Sequence, residues 1–251
     1  MQKLTDVFII EGARDTEFRE LAEICAQTFI DYVKTHECSD VFNDNGNVTA
    51  TYFGHRMKTD DEVRKYFQDT VFYVKASPPG MQTKDAAFSS GGGHDEDYIS
   101  VYLDVEKNHD SSSWRKFCLN KAPDLLRAKF TSIMHEFIHL IDSQRTSSKL
   151  DLTKQRYDIN KINSGDEQEN SKYINDPLEF NAIFQEIAER LEQRIIEKGV
   201  DSINSISSQE WVSSTLKSIP KDWTSSFSAK LRKHLIKRLY QFLEDMKVKY
   251  S

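Results

Sequence analysis

The most restrictive feature of this 251-residue sequence is a segment after residue 120 whose apolar side chains repeat at helical spacing. Pro123 stands near the start of the segment, where the first turn of a helix accepts proline. A helix that is apolar on nearly all sides is buried, so the sequence predicts a buried central helix. The apolar residues that cover most of its circumference are Leu125, Leu126, Phe130, Ile133, Met134, Phe137, Ile138 and Ile141.

The predicted helix contains the sequence HEFIH, from His135 to His139. Two histidines four residues apart share one helix face, so both imidazoles can bind one cation at about 2.0 to 2.1 Å. Glu136 stands beside the water that it would deprotonate. In the simpler alternative the histidines are ordinary helix residues and Glu136 is a solvated charge. Because polar groups in a buried helix are costly without partners, the spacing favours a Zn²⁺ site.

A catalytic zinc ion usually has three protein ligands and a water. The longer HExxHxxGxxH pattern is excluded, because Asp142 stands at its glycine position and Arg145 at its third histidine. Downstream, Glu179 in the first turn of a second predicted helix is the candidate third ligand. The alternative is a capping box, in which Glu179 bonds back to the amide of Asp176. Two acidic residues farther along this helix, expected to face solvent, are fallback ligands: Glu186 and Glu189.

Other side chains are candidates for supporting roles. Asp142 follows His139 by three residues on the same helix face, where its carboxylate can accept the free imidazole N–H. A cap or another role at the C-terminus of the helix is the alternative for this aspartate. An oxyanion needs a donor opposite the attacking water, and Tyr173 is the candidate, with His94 and His109 behind it. A structural or surface role is the alternative for each of these three.

The rest of the chain changes character along its length but contains no internal repeat and no clear linker. Residues 1–110 mix strand and helix patterns, residues 114–200 contain the helices of the candidate metal site, and residues 201–251 form a helical tail. A polar insertion occupies 143–172. We therefore expect one α+β domain over residues 1–251. Strands are predicted at 6–12, 70–77 and 98–105, a hairpin or meander at 41–57 and a short helix at 60–69.

Composition excludes several classes of function. The chain has 34 basic and 40 acidic residues and a net charge of −6, the wrong sign for general affinity to a phosphate backbone, so nucleic acid is not an expected partner. No window approaches 18 consecutive apolar residues and no secretory leader pattern is present, so we expect a cytoplasmic protein without a membrane partner. Cys25, Cys38 and Cys118 form no CxxC pair and are expected to be reduced.

A family resemblance adds to these inferences. HEFIH followed by the segment from Tyr173 to Ala182, which has the pattern YxxxPxExxA, resembles the HExxH zinc metallopeptidases of the zincin superfamily. The chain is most similar to the glutamate-ligand branch, the gluzincins, and to small predicted bacterial and phage peptidases with this segment. The resemblance covers roughly residues 95–195. One departure concerns Ile183, which stands where many gluzincins place an aspartate four residues after the ligand glutamate.

The resemblance implies a zincin-like fold with a small mixed sheet, an edge strand and a central HExxH helix. It also implies specific roles: His135, His139 and Glu179 as zinc ligands, Glu136 as general base, and residues 98–105 as the edge strand that binds extended peptide.

Motif and resemblance together predict a zinc metalloendopeptidase whose partner is a peptide or protein substrate. Two alternatives stay open. One is a catalytically inactive zincin-fold binding or assembly protein, in which the 30-residue polar insertion covers the cleft. The other is an effector that cleaves a host protein. A water in the fourth zinc position distinguishes a catalytic site from a structural site, in which a fourth protein ligand closes the shell.

Overall fold

A computed structural model describes residues 13–38, 40–44, 47–77, 86–89, 97–103, 111–146, 161, 165–219 and 226–250. These residues form a mixed α+β structure, which confirms the predicted class. The predicted strand at 6–12 and residues 147–160 of the polar insertion lie outside the described residues. The chain divides into two compact units, residues 20–150 and residues 1–19 together with 151–251. The single domain over residues 1–251 stays a prediction.

The unit of residues 20–150 contains a five-stranded mixed sheet of order β1-β2-β3-β5-β4. Strands β3 and β5 are parallel, and the other neighbouring pairs are antiparallel. The sheet confirms strand structure at 70–76 and the hairpin between the first two strands. The strands are β1 (Asp40–Asp44), β2 (Asn47–Phe53), β3 (Thr70–Ala76), β4 (Ala86–Ser89) and β5 (Asp97–Leu103).

The prediction that residues 98–105 form the edge strand is wrong. Strand β5 pairs with β3 on one side and with β4 on the other, so it lies inside the sheet. Among the described strands, β4 is the edge next to β5. Ile99, Val101 and Leu103 on one face of β5 are buried, and Ser100 on the other face is buried too. The alternation of apolar residues carries no information about how many neighbours the strand has.

Helices pack beside this sheet, and their bounds differ in one respect from the prediction. The apolar segment after residue 120 forms two helices, α4 (Ala122–Ala128) and α5 (Phe130–Thr146), rather than one. Helix α5 is buried as predicted, with Ile133, Met134, Phe137, Ile138 and Ile141 fully inaccessible. The other helices here are α1 (Ala13–Thr35), a 3₁₀ turn (Gly54–Arg56), α2 (Asp61–Gln68) and α3 (Ser111–Asn120).

Three phenylalanines connect α5 to the sheet and to α2. The ring centroid of Phe137 lies 5.5 Å from that of Phe67 in α2 and 5.7 Å from that of Phe72 in β3. Phe67 and Phe72 are 5.5 Å apart, so the three rings contact one another pairwise. All three are buried. Aromatic pairs at such separations stabilise a fold beyond the area that they bury, so this cluster anchors the helix that carries the HEFIH sequence.

The second unit is helical. Its helices are α6 (Glu167–Ile174), α7 (Pro177–Lys198), α8 (Ser202–Ser205), α9 (Ser208–Ser218) and α10 (Ala229–Lys249). Helix α7 begins at Pro177 and is followed by Gly199 at a φ of 87°, as the sequence predicts for a helix with proline at its start and glycine after its end. Buried residues of α7, α9 and α10, among them Phe184, Trp211 and Leu239, form one apolar core.

A buried ion cluster lies in this unit and corrects one expectation. Glu189 does not face solvent: it is buried and accepts a 2.5 Å hydrogen bond from the guanidinium of Arg19. The same guanidinium binds Glu192, which also accepts hydrogen bonds from Lys249 and from the Tyr250 hydroxyl. Burial alone would raise the pKa of Glu192, but the charge of Arg19 and the bonds from Tyr250 and Lys249 lower it below its usual value.

Among the residues that the structure describes, none of the helices combines the length and the apolar composition needed to cross a membrane.

Gly54 lies where the 3₁₀ turn passes the end of α2, and it offers a test of this packing. A Cβ atom there would stand 2.1 Å from the carbonyl oxygen of Phe67, a backbone atom that cannot rotate away. We expect Gly54→Ala to lower the free energy of unfolding by about 3 kcal/mol, measured by urea denaturation. Lys58→Ala, which changes an exposed side chain nearby, is the control and should stay within about 0.5 kcal/mol of the wild type. An equal effect of the two substitutions would contradict this account.

Candidate metal centre

The two histidines of the HEFIH sequence face each other on α5. Their Nε2 atoms are 3.0 Å apart and their ring centroids 4.7 Å apart. His135 is buried, with 8% of its surface exposed, and His139 is half-buried. One turn of helix separates the two residues, so the pitch of α5 alone brings both rings to the same place.

The donor set of this pair fits a zinc ion. Two imidazole nitrogens that bind one tetrahedral zinc at about 2.0 to 2.1 Å stand about 3.3 Å from each other, close to the observed separation. Imidazole is also a preferred ligand of zinc among nitrogen, oxygen and sulfur donors. A hydrogen bond from one neutral ring to the other has a similar length. The distance alone therefore fits both two histidines that bind one metal ion and two histidines joined by a hydrogen bond.

Glu136 is held by the neighbouring strand. The backbone N–H of Phe88 in β4 donates to Glu136 Oε2 at 2.6 Å. The ring of Phe88 lies 6.5 Å from that of His139, with 21° between the two planes. Strand β4 therefore contacts both the carboxylate and one imidazole of the motif. Sequence reasoning did not find Phe88, because the four residues of β4 are too few to show a strand period.

The direction of the Phe88 N–H identifies the outer edge of β4. In an antiparallel strand the N–H and C=O of one residue point to the same side, and successive residues alternate between the side of the paired strand and the opposite side. Since the Phe88 N–H donates to Glu136, it points away from β5, and the alternation turns the N–H and C=O of Ala86 to the same side. The carboxylate of Glu136 thus lies at the edge where an added strand would bind.

Glu179 belongs to the helical unit and lies in the first turn of α7, with 7% of its surface exposed. The capping-box alternative requires the Asp176 amide to donate to the Glu179 carboxylate. That amide instead donates to the carbonyl oxygen of Tyr173 at 3.0 Å, while the Phe180 amide bonds the Asp176 carbonyl at 2.8 Å. The backbone bond of Asp176 therefore weakens the case for a capping box.

The remaining candidates have different surroundings. Tyr173 is half-buried in α6 and packs against the apolar core of the helical unit. Asp142 is buried on α5. Glu186 is buried rather than solvent-facing, with an oxygen 3.7 Å from Arg190 of the next turn, and Glu189 is bound to Arg19. The two histidines named as further donors, His94 and His109, lie outside the described residues.

Comparisons with protein-family models, with curated proteins and with solved structures find no match to this chain.

Metal binding distinguishes the two explanations of the facing imidazoles. We expect the purified chain to bind about one zinc ion, measured by elemental analysis and by competition with a chromogenic chelator. His135→Ala and His139→Ala should each weaken zinc affinity by at least about 100-fold, because each removes one ligand.

His55→Ala is the matched control, since this histidine is exposed in the 3₁₀ turn, and it should leave zinc affinity unchanged. A chain that takes up no zinc while its fold and all its histidines are intact would show that the pair is held by a hydrogen bond only.

Proposed function

We propose that this protein is a zinc-dependent endopeptidase with a zincin-like fold, in which His135, His139 and Glu179 bind the metal. The observation that carries the proposal is the arrangement on α5: two imidazole nitrogens 3.0 Å apart, with the adjacent carboxylate at the outer edge of a strand. Such a hydrolase needs three parts: two histidines that bind the metal ion, a general base, and a strand edge that binds extended peptide.

Each part has a distinct task in the reaction. When bound, zinc supplies a Lewis acid that lowers the pKa of a water and polarises the scissile carbonyl. Glu136 accepts the proton of the attacking water and donates it to the amine nitrogen that leaves. The Phe88 N–H, 2.6 Å from Oε2, orients the carboxylate before substrate arrives. In this proposal Tyr173 donates its O–H to the developing oxyanion.

The substrate is an extended peptide that pairs with β4. Backbone hydrogen bonds to a strand edge supply affinity without reading the sequence of the peptide, and side-chain pockets supply specificity. The outward N–H and C=O of Ala86 and the outward C=O of Phe88 are the proposed partners, since the Phe88 N–H donates to Glu136. Strand β4 therefore takes the role that the sequence resemblance implied for residues 98–105.

Glu179 completes the ligand set in this proposal. A zinc ion with two histidines needs at least one more protein ligand to stay bound at neutral pH, and a carboxylate oxygen binds at about 2.0 to 2.2 Å. Burial of Glu179, together with the bond that engages the Asp176 amide elsewhere, supports this assignment.

The role of Glu136 can be separated from metal binding. We expect Glu136→Gln to keep zinc affinity and to lower kcat/KM for a quenched-fluorescence peptide mixture by about 10² to 10⁴-fold, the usual contribution of general base catalysis. Glu62→Gln on α2 is the matched control, because it makes the same change at an exposed position of the same unit.

A wild-type protein that binds zinc but hydrolyses no peptide of the mixture would favour the inactive binding or assembly protein. Equal hydrolysis by the wild type and Glu136→Gln would show that another group is the base.

The role of Glu179 has its own test. We expect Glu179→Gln to weaken zinc affinity by about 100-fold, because the amide oxygen is a poorer ligand than a carboxylate. Glu186→Gln is the matched control, since it changes a buried glutamate two turns along the same helix. Loss of affinity in the control alone would transfer the ligand role to Glu186, and no loss in either variant would exclude both.

A further inference from the structure

Glu179 lies in a short segment that is contacted on both sides. The contacts come from helix α10 and from the residues that directly precede this helix. The contacts fall at Asn175, four residues before Glu179, and at Asn181, two residues after it. All of them lie within the helical unit.

On the N-terminal side, the amide of Asn175 binds two backbone groups that flank Phe227. Asn175 Nδ2 donates to the Ser226 carbonyl oxygen at 2.8 Å, and the Ser228 N–H donates to Asn175 Oδ1 at 2.8 Å. Ser228 is also the N-cap of α10, since its hydroxyl accepts from the Leu231 N–H. The end of α6 is thus bonded directly to the start of α10.

On the C-terminal side, one arginine of α10 binds the second turn of α7. Arg238 Nη2 donates to Asn181 Oδ1 at 2.9 Å. The guanidinium carbon lies 3.7 Å from the ring centroid of Phe184 and 6.0 Å from that of Phe180. A planar guanidinium over an aromatic face combines cation–π attraction with a directed hydrogen bond, so Arg238 fixes both the position and the rotation of α7.

Phe180 fills the space between these two contacts. It is fully buried, its ring meets that of Phe227 edge to face at 5.6 Å, and its centroid lies 5.7 Å from the ring of His234. At about 100° per residue, Asn181 lies about 160° around α7 from Glu179. Residues 226–238 therefore pack against the face of α7 opposite Glu179, so that this glutamate lies on the side of α7 away from α10.

We propose that Arg238 is a positioning residue for the metal ligand Glu179, and that α10 is part of the metal-binding apparatus rather than only a helical tail. This inference rests on the proposed function. A ligand has to be held to within about 0.5 Å for productive coordination, and groups that orient a ligand contribute about 10 to 100-fold to metal affinity.

The experiment combines substitutions at positions 238 and 179 and measures zinc affinity by chelator competition. Arg238→Met keeps the apolar stem of the side chain but removes the guanidinium, and we expect it to weaken zinc affinity about tenfold. In a Glu179→Gln background the same substitution should change zinc affinity by less than about twofold, because the ligand that Arg238 positions is already lost. Lys237→Met, an exposed neighbour on α10, is the matched control and should have no effect in either background.

Two further variants keep the test decisive if Arg238→Met folds poorly. Asn181→Ala removes the acceptor alone, and Arg238→Lys keeps a cation near Phe184 without the fork of donors; each should weaken zinc affinity less than Glu179→Gln does. Far-ultraviolet circular dichroism and thermal unfolding of the metal-free proteins report the fold separately from affinity.

The outcomes separate the two levels of the proposal. Zinc affinity that is unchanged in Arg238→Met and Asn181→Ala, or that falls equally in both backgrounds, overturns the positioning role while Glu179 stays a ligand. Unchanged affinity in Glu179→Gln alone overturns the ligand assignment, and the positioning role with it.

Discussion

Helix α5 must bury its apolar residues and still provide a partner for each of its polar ones, and the arrangement of the candidate site follows from this constraint. Phe137 lies about 160° around the helix from both His135 and His139. Its contacts with Phe67 and Phe72 therefore hold the back of the helix while the imidazoles occupy the front. In the proposed site, a cation held by both imidazoles would therefore stabilise the fold as well as the site.

Features that depend on local spacing could be predicted from the sequence. The period of apolar residues identified α5, and the four-residue spacing of its histidines correctly placed both rings together, because one turn of helix fixes both. The start of α7 at Pro177 and its end before Gly199 follow from the same kind of local rule. The α+β class follows from the change between the two periods along the chain.

Features that depend on contacts between residues far apart in the chain could not be predicted from the sequence. The edge strand was misplaced because β4 has only four residues, too few to show a strand period. The pairing of β4 with β5 also leaves no pattern in the sequence of either strand. Glu189 was expected to face solvent because its partner, Arg19, lies 170 residues away in the chain. The contacts of Arg238 could not be predicted for the same reason, since Asn181 and Phe184 lie more than 50 residues away in the chain. For Glu189 and Arg238 the residue type suggested exposure, and contacts with residues far along the chain bury them at least in part.

The two histidines and Glu179 differ in what keeps them in place, and this difference has a thermodynamic consequence. The pitch of α5 alone brings the imidazoles together, whereas in our proposal Glu179 is oriented by the contacts of Asn175 and Arg238 in the folded helical unit. In the proposed site the histidines therefore supply metal affinity that survives partial unfolding of residues 151–251, and Glu179 supplies affinity that requires that unit to be folded. Because a ligand that binds only the folded state stabilises it, zinc bound through all three side chains links the stability of the helical unit to the occupancy of the site.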